Sequence, residues 1–98
     1  MLKIGKLKLK SNLILAPMAG VSDLPFRMLN RQFGCELAFV EMINCRSISF
    51  KSKRTKMMLS SNKDDRPLGV QLLGCETKFV EKAMDVINEY DFDILDFN

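Results

Sequence analysis

Four polar side chains stand where apolar runs end: Glu41 after Leu37-Ala38-Phe39-Val40, Gln71 within Leu68–Leu73, and Asp96 and Asn98 in the run from Ile94. Carboxylates accept hydrogen bonds and carboxamides both accept and donate, so such residues can hold and orient a polar ligand. Histidine and tryptophan are absent. That excludes a Ser-His-Asp triad, a His-ligated metal and an imidazole acid or base from within this chain. Three cysteines, Cys35, Cys45 and Cys75, are odd in number and lack C-x-x-C spacing. Neither a disulfide framework nor a zinc knuckle is indicated, no metal site is expected, and the expected compartment is a reducing cytoplasm.

A second candidate is electrostatic. Residues 1–63 carry twelve Lys and Arg against Asp23, Glu36 and Glu41, net +9, whereas residues 64–98 carry three basic against nine acidic residues, net −6. Arg46, Lys51, Lys53, Arg54, Lys56 and Lys63 follow one another without an intervening carboxylate. Such a run can meet the phosphates of a nucleic acid, or simply be a solvated helix face.

These residues need elements to position them. The 98 residues, 47% hydrophobic and 28% charged, match one ordinary globular domain with a core to bury. Met1–Lys10 lacks an uninterrupted apolar stretch and does not read as a secretory signal. No apolar run approaches the roughly 20 residues that cross a bilayer, so a soluble protein away from membranes is expected.

Ile4, Leu7 and Leu9 alternate with lysines, and Ser11-Asn12 offers a turn before Leu13-Ile14-Leu15-Ala16, which predicts a short hairpin feeding a buried strand. Pro17 ends that strand, Met18-Ala19-Gly20 forms a loop, and Ser22 or Asp23 caps a helix. This helix has Pro25 in its first turn, an apolar face of Leu24, Phe26, Met28 and Leu29, and Gly34 as its stop. The unit repeats: a strand at Leu37–Val40 with a basic helix from about Ser49 to Leu59, then a strand at Leu68–Leu73 with a helix from about Glu76 to Tyr90. A fourth strand covers Ile94–Asn98.

A hairpin followed by βαβαβαβ calls for a parallel sheet covered by helices. An open doubly wound sheet and an eight-stranded α/β barrel both fit. Neither a G-x-G-x-x-G nor a phosphate-binding P-loop is present. Polar residues sit instead at the carboxyl ends of strands, the active face of a barrel.

Leu15-Ala16-Pro17-Met18-Ala19-Gly20-Val21-Ser22-Asp23-Leu24-Pro25-Phe26-Arg27 resembles the opening signature of the tRNA-dihydrouridine synthases, flavoenzymes that reduce particular uridines in tRNA. Val40-Glu41-Met42, Pro67-Leu68-Gly69-Val70-Gln71-Leu72-Leu73-Gly74 and Asp96-Phe97-Asn98 match further family segments in order. The hairpin and spacing look most like the bacterial branch. Leu15-Ala16-Pro17-Met18 alone also resembles other flavin-dependent barrels, such as dihydroorotate dehydrogenases and ene-reductases. Asp23-Leu24-Pro25-Phe26-Arg27 decides between them.

The resemblance implies an α/β fold: the first half of a TIM (β/α)8 barrel, about four βα units preceded by a β-hairpin. It implies FMN at the carboxyl ends of the strands, NADPH as reductant, and a helical tRNA-binding domain after the barrel. By the resemblance, Pro17, Met18, Ala19 and Gln71 contact the flavin, and Asn98 contacts the substrate base, with Glu41 and Asp96 as further pocket residues. Arg46, Lys51, Lys53, Arg54 and Lys56 would meet the tRNA backbone. The family pattern continues D-x-N-x-G-C-P, its cysteine protonating uracil C5 while reduced flavin delivers hydride to C6. That cysteine falls three residues past Asn98, so no catalytic residue is assigned within the chain.

A barrel needs about 250 residues and holds phosphate after its late strands. The expectation is therefore the amino-terminal half of such an enzyme, inactive alone and unable to hold FMN tightly. Its open strand edges would invite self-association. A non-catalytic RNA-binding half-barrel is the alternative.

Overall fold

The lysine-spaced apolar residues at the amino terminus form an antiparallel hairpin in the computed structural model, which describes residues 1–98. Strands β1 (Leu2–Ile4) and β2 (Leu7–Leu9) pair Leu2 with Leu9 and Ile4 with Leu7. Gly5 turns the chain at φ +58°, a left-handed conformation free of Cβ strain only for glycine. The hairpin thus closes well before Ser11-Asn12. Nor is Leu13–Ala16 a buried strand: only β3 (Ile14–Leu15) pairs, and Leu13 is 81% exposed. Within these 98 residues β3 has a neighbour on one flank only.

Helix α1 (Leu24–Gln32) starts as expected, with the Asp23 carboxylate accepting from the Phe26 N–H at 3.0 Å and Pro25 in the first turn. Its buried face differs from the expected one. Leu29 is 53% exposed, while Arg27 is fully buried.

Strands β4 (Leu37–Phe39), β5 (Ile43–Asn44), β6 (Leu68–Leu73) and β7 (Ile94–Phe97) join β3 in one sheet whose pairings are all parallel. Gly69 pairs with both Phe39 and Ile94, and Leu72 with both Ile43 and Phe97. So β4 and β5 lie along one flank of β6 and β7 along the other. From Phe39 to Ile43 the chain takes four steps where β6 takes three, a one-residue bulge over Val40–Met42. The sheet advances β3, β4–β5, β6, β7 in chain order, without the reversal that marks a doubly wound sheet.

The basic helix expected from about Ser49 to Leu59 is shorter, α3 (Lys53–Met58), and a separate short helix, α2 (Cys45–Ile48), precedes it; the two are separated by a break where Lys51 takes φ +49°. Ser52 explains the break: its hydroxyl accepts from the Thr55 N–H at 3.1 Å, and serine favours such a cap over a helix interior. Helix α4 (Thr77–Ile87) is somewhat shorter at both ends than its apolar stripe suggests. No helix is long and apolar enough to cross a membrane.

The two faces of the sheet are built differently. Val40, Ile43, Leu68, Val70 and Leu72 pack with Ile48, Leu59, Ala83, Val86 and Ile87 under the helices. On the other face Leu37, Phe39 and Ile94 pack against the hairpin residues Leu2, Ile4, Leu7 and Leu9. Gly69 makes room there, since a Cβ on it would lie 2.3 Å from Phe39 Cε1. Alternation along β6 then puts Gln71 on the same face, further toward the carboxyl end.

Candidate functional site at the strand carboxyl ends

The hairpin covers the amino-terminal part of this inner face with apolar side chains, and the polar candidates gather beyond it. Gln71 on β6 and Asp96 on β7 are register partners, and Gln71 Nε2 donates to Asp96 Oδ2 at 2.5 Å. This bond fixes the carboxamide. Its Oε1 and second N–H make no bond within the chain and are open to a ligand.

The Pro17–Ser22 loop leaves β3 at the same end. Val21 and Ser22 N–H groups donate to the Met18 carbonyl at 3.0 and 2.9 Å, and the Ser22 hydroxyl accepts from Met18 N–H at 2.8 Å. Ser22 is fully buried. Gly20, at φ +73°, directs its N–H to Glu41 Oε1 at 2.6 Å. Glu41 lies within the bulge after β4, where the extra residue interrupts the strand's side-chain alternation. Glu41 is thereby committed to the loop backbone, and this bond occupies one of the oxygens it could offer a ligand.

Beneath the loop lies a buried cluster that the sequence reading missed. Arg27 donates from Nε and Nη2 to Asp65 Oδ2 at 3.0 and 2.8 Å, from Nη1 to the Ser22 carbonyl at 2.7 Å, and from Nη2 to the Ser60 carbonyl at 2.8 Å. Arg31 Nε donates to the other Asp65 oxygen at 2.8 Å, and its Nη groups reach the Glu36 and Pro67 carbonyls. Every donor and acceptor here has a partner, as a buried ion pair requires. The residues offer one sign of it: Arg27 and Arg31 stand one helical turn apart on α1, and a carboxylate pair follows at Asp64-Asp65.

Asn98 extends the β7 ladder, its N–H donating to the Leu72 carbonyl at 2.8 Å, and its Nδ2 lies 3.5 Å from Met42 Sδ. Beside it opens a cavity of about 470 Å³ lined by Asn44, Arg46, Gly74, Cys75 and Phe79 among others. The structure brings Gln71 and Asp96 into contact, ties Glu41 to the Pro17–Ser22 loop, and sets Asn98 against Met42.

It divides the basic run. The Arg46 guanidinium stacks 4.7 Å from the Phe79 ring centroid and lies 3.9 Å from Glu76. Lys51 Nζ donates to Glu89 Oε1 at 2.9 Å, which pushes the ammonium above its ordinary range. Lys53, Arg54 and Lys56 are exposed and belong to none of the six ion pairs. Of the cysteines, Cys45 is buried, Cys35 half-buried and Cys75 exposed. Burial pushes the Cys35 and Cys45 thiols up, partly offset at Cys35 by the nearby Arg31 charge. No group of three Cys, Asp or Glu side chains is placed to hold a metal ion.

A family model described as Dihydrouridine synthase (Dus) matches residues 14–98, from the first residue of β3 to Asn98. The chain belongs to the dihydrouridine synthase family. It is 40% identical over 99 residues to a probable tRNA-dihydrouridine synthase of Rickettsia bellii, a match covering all of this chain and 30% of that protein. It is 33% identical over 97 residues to tRNA-dihydrouridine synthase B of Pasteurella multocida, covering 99% of this chain and 29% of the other. The corresponding protein of Pseudomonas aeruginosa is 34% identical over 96 residues. The chain thus spans about 30% of the length of the curated relatives it matches. Within this dihydrouridine synthase family member, the hairpin β1–β2 lies ahead of the matched stretch.

Proposed function

We propose that this chain supplies the amino-terminal strands of a (β/α)8 barrel in an FMN- and NADPH-dependent tRNA-dihydrouridine synthase acting in the cytoplasm. The observation that carries the reading is a shared end: in a member of this family, the Pro17–Ser22 loop, Gln71, Asp96 and Asn98 all lie at the carboxyl ends of parallel strands. That end is where α/β barrels hold ligands. A sheet advancing in chain order supports the barrel. Relatives more than three times as long support a remainder holding the other strands, a phosphate site and a helical tRNA-binding domain.

The residues present fit a flavin. Pro17 fixes the backbone of a loop whose Met18 and Ala19 can lie against the ring, and the carboxamide of Gln71 is held by Asp96 with acceptor and donor capacity to spare. The flavin, when bound and reduced, supplies the hydride for the uracil double bond. The chain's own residues hold and orient: Gln71 fixes the polar edge of the ring, Asp96 fixes Gln71, and Glu41 and Ser22 keep the loop closed. Asn98 holds the uracil, which has to be flipped out of its stack to reach the ring. The proton donor is a cysteine after Asn98. Arg46, Lys51, Lys53, Arg54 and Lys56 contribute to tRNA backbone binding, with Lys53, Arg54 and Lys56 free of carboxylates. As an isolated piece, the chain exposes β3 and β7 as sheet edges, self-associates and retains no FMN.

The test uses the complete protein, purified and supplied with NADPH and tRNA from cells lacking its gene. The reading predicts yellow protein and new dihydrouridine. Colourless protein that forms none, or flavoprotein that interconverts dihydroorotate and orotate or reduces activated alkenes and leaves tRNA unchanged, contradicts it.

A further inference from the structure

We propose that Phe50, with Arg54 beside it, forms a stacking platform for an unpaired base of the RNA next to the one being reduced. The inference rests on the tRNA reading above. Phe50 is 81% exposed at the junction between α2 and α3. Most of the other large exposed apolar residues sit along the sheet's margins: Leu13 and Ile14 at β3, Phe33 at the end of the helix beside it, Leu95 and Phe97 on β7. Further strands and helices of a larger sheet would cover those. Phe50 follows β5, which pairs with the interior strand β6, so its exposure does not come from an open sheet edge.

The surroundings of the ring favour a nucleic acid over a protein. Phe50, Ser52, Arg54, Asn44 and Met42 help to line a cavity of about 450 Å³, and Met42 is the residue that Asn98 touches. The cavity therefore adjoins the candidate base site. Lys53, Arg54 and Lys56 bring positive charge that no carboxylate pairs. Asp23 and Glu41, which line a neighbouring cavity with Lys53 and Arg54, accept from the Phe26 and Gly20 N–H groups. An aromatic face accepts any base, and a guanidinium can stack on that base or bind its phosphate. Lys51 is not part of the platform, because Glu89 holds it.

The experiment compares the complete enzyme with its Phe50→Ala, Phe50→Leu and Phe50→Trp variants for tRNA affinity, with flavin content and flavin reduction by NADPH as controls. Loss of one base–aromatic stack weakens binding about 5- to 160-fold. The expected result is that loss for Ala and Leu, affinity near that of the unaltered enzyme for Trp, and unchanged flavin content and reduction in all three. Arg54→Ala is expected to lower the slope of log affinity against log salt by about one unit. Unaltered tRNA affinity in Phe50→Ala overturns the platform while leaving the tRNA reading intact, as does Leu serving as well as Phe, the outcome if the ring packs against another part of the protein. A fall in flavin content in the Ala and Leu variants, matching their loss of tRNA affinity, assigns Phe50 to folding and also overturns it. Failure of the unaltered enzyme to bind any tRNA removes the tRNA reading itself.

Discussion

Arg27 and Asp65 stand 38 positions apart in the chain and form a fully buried ion pair, Nη2 to Oδ2 at 2.8 Å. The pair joins the capped start of α1 to the segment leading into β6, and through the Ser22 carbonyl it reaches the loop proposed to meet the flavin. Removing Asp65 leaves Arg27 and Arg31 without their shared counter-charge, a loss of about 3–5 kcal/mol, whereas removing Arg27 leaves Asp65 paired with Arg31 alone, a smaller loss. Asp65→Ala and Arg27→Ala are each expected to lower the denaturation midpoint of the complete protein. The double variant Arg27→Met/Asp65→Leu should recover part of that stability. Because it no longer holds the Ser22 carbonyl, it should still retain less flavin than the unaltered enzyme. Full flavin retention by the double variant contradicts a positioning role.

Gly69 faces Phe39 so closely that a Cβ would sit 2.3 Å from Cε1. Gly69→Ala is expected to destabilise the protein by about 1–3 kcal/mol, the usual cost of overpacking a core. Combining it with Phe39→Leu should return part of the loss in a denaturation series. Additive losses in the double variant would mean that the two sites do not compete for the same space.

The bond from Gly20 N–H to Glu41 makes a local prediction. Glu41→Ala removes the acceptor and should speed hydrogen exchange at the Gly20 amide about tenfold, given the modest worth of a solvent-accessible charge-assisted bond. Glu41→Gln keeps an acceptor oxygen and should leave exchange near its original rate. Equal acceleration in both variants would point to loss of the carboxylate charge as the cause.

Much of this arrangement is legible in the residues. The apolar runs at Leu37–Phe39 and Leu68–Leu73, the Asp23 cap and the α4 stripe give strand, helix and order, because each is a local pattern of burial or capping. Pro17, Gln71, Asp96 and Asn98 are legible as strand-end groups for the same reason. Three features are not. The bulge over Val40–Met42 depends on pairing with β6, which no local pattern records. The exposure of Leu13 goes with β3 having a neighbour on one flank only within these 98 residues. The burial of Arg27 depends on a carboxylate 38 residues away, and its own helix gives no sign of that partner. The later start of α3, after Ser52, is closer to view, since serine is a ready cap.

The cysteines give a pH prediction. Burial holds the Cys45 thiol above its ordinary range, so the folded protein binds this proton more tightly than the unfolded chain. The associated stability is full below the ordinary cysteine range and is lost as pH climbs through it. Stability is expected to fall on the alkaline side, and Cys45→Ala should flatten that fall. In a thiol-reagent titration near pH 8, exposed Cys75 should react at once, half-buried Cys35 slowly, and Cys45 only on unfolding. Rapid reaction of all three in the folded protein contradicts the burial assigned to Cys45.

The most direct measurement maps dihydrouridine, position by position, in tRNA from cells with and without the gene that encodes this chain. The account predicts that one or more positions lose dihydrouridine in the deletion and regain it when the complete gene is restored. Unchanged dihydrouridine at every position, in cells with no second gene of the same specificity, contradicts it.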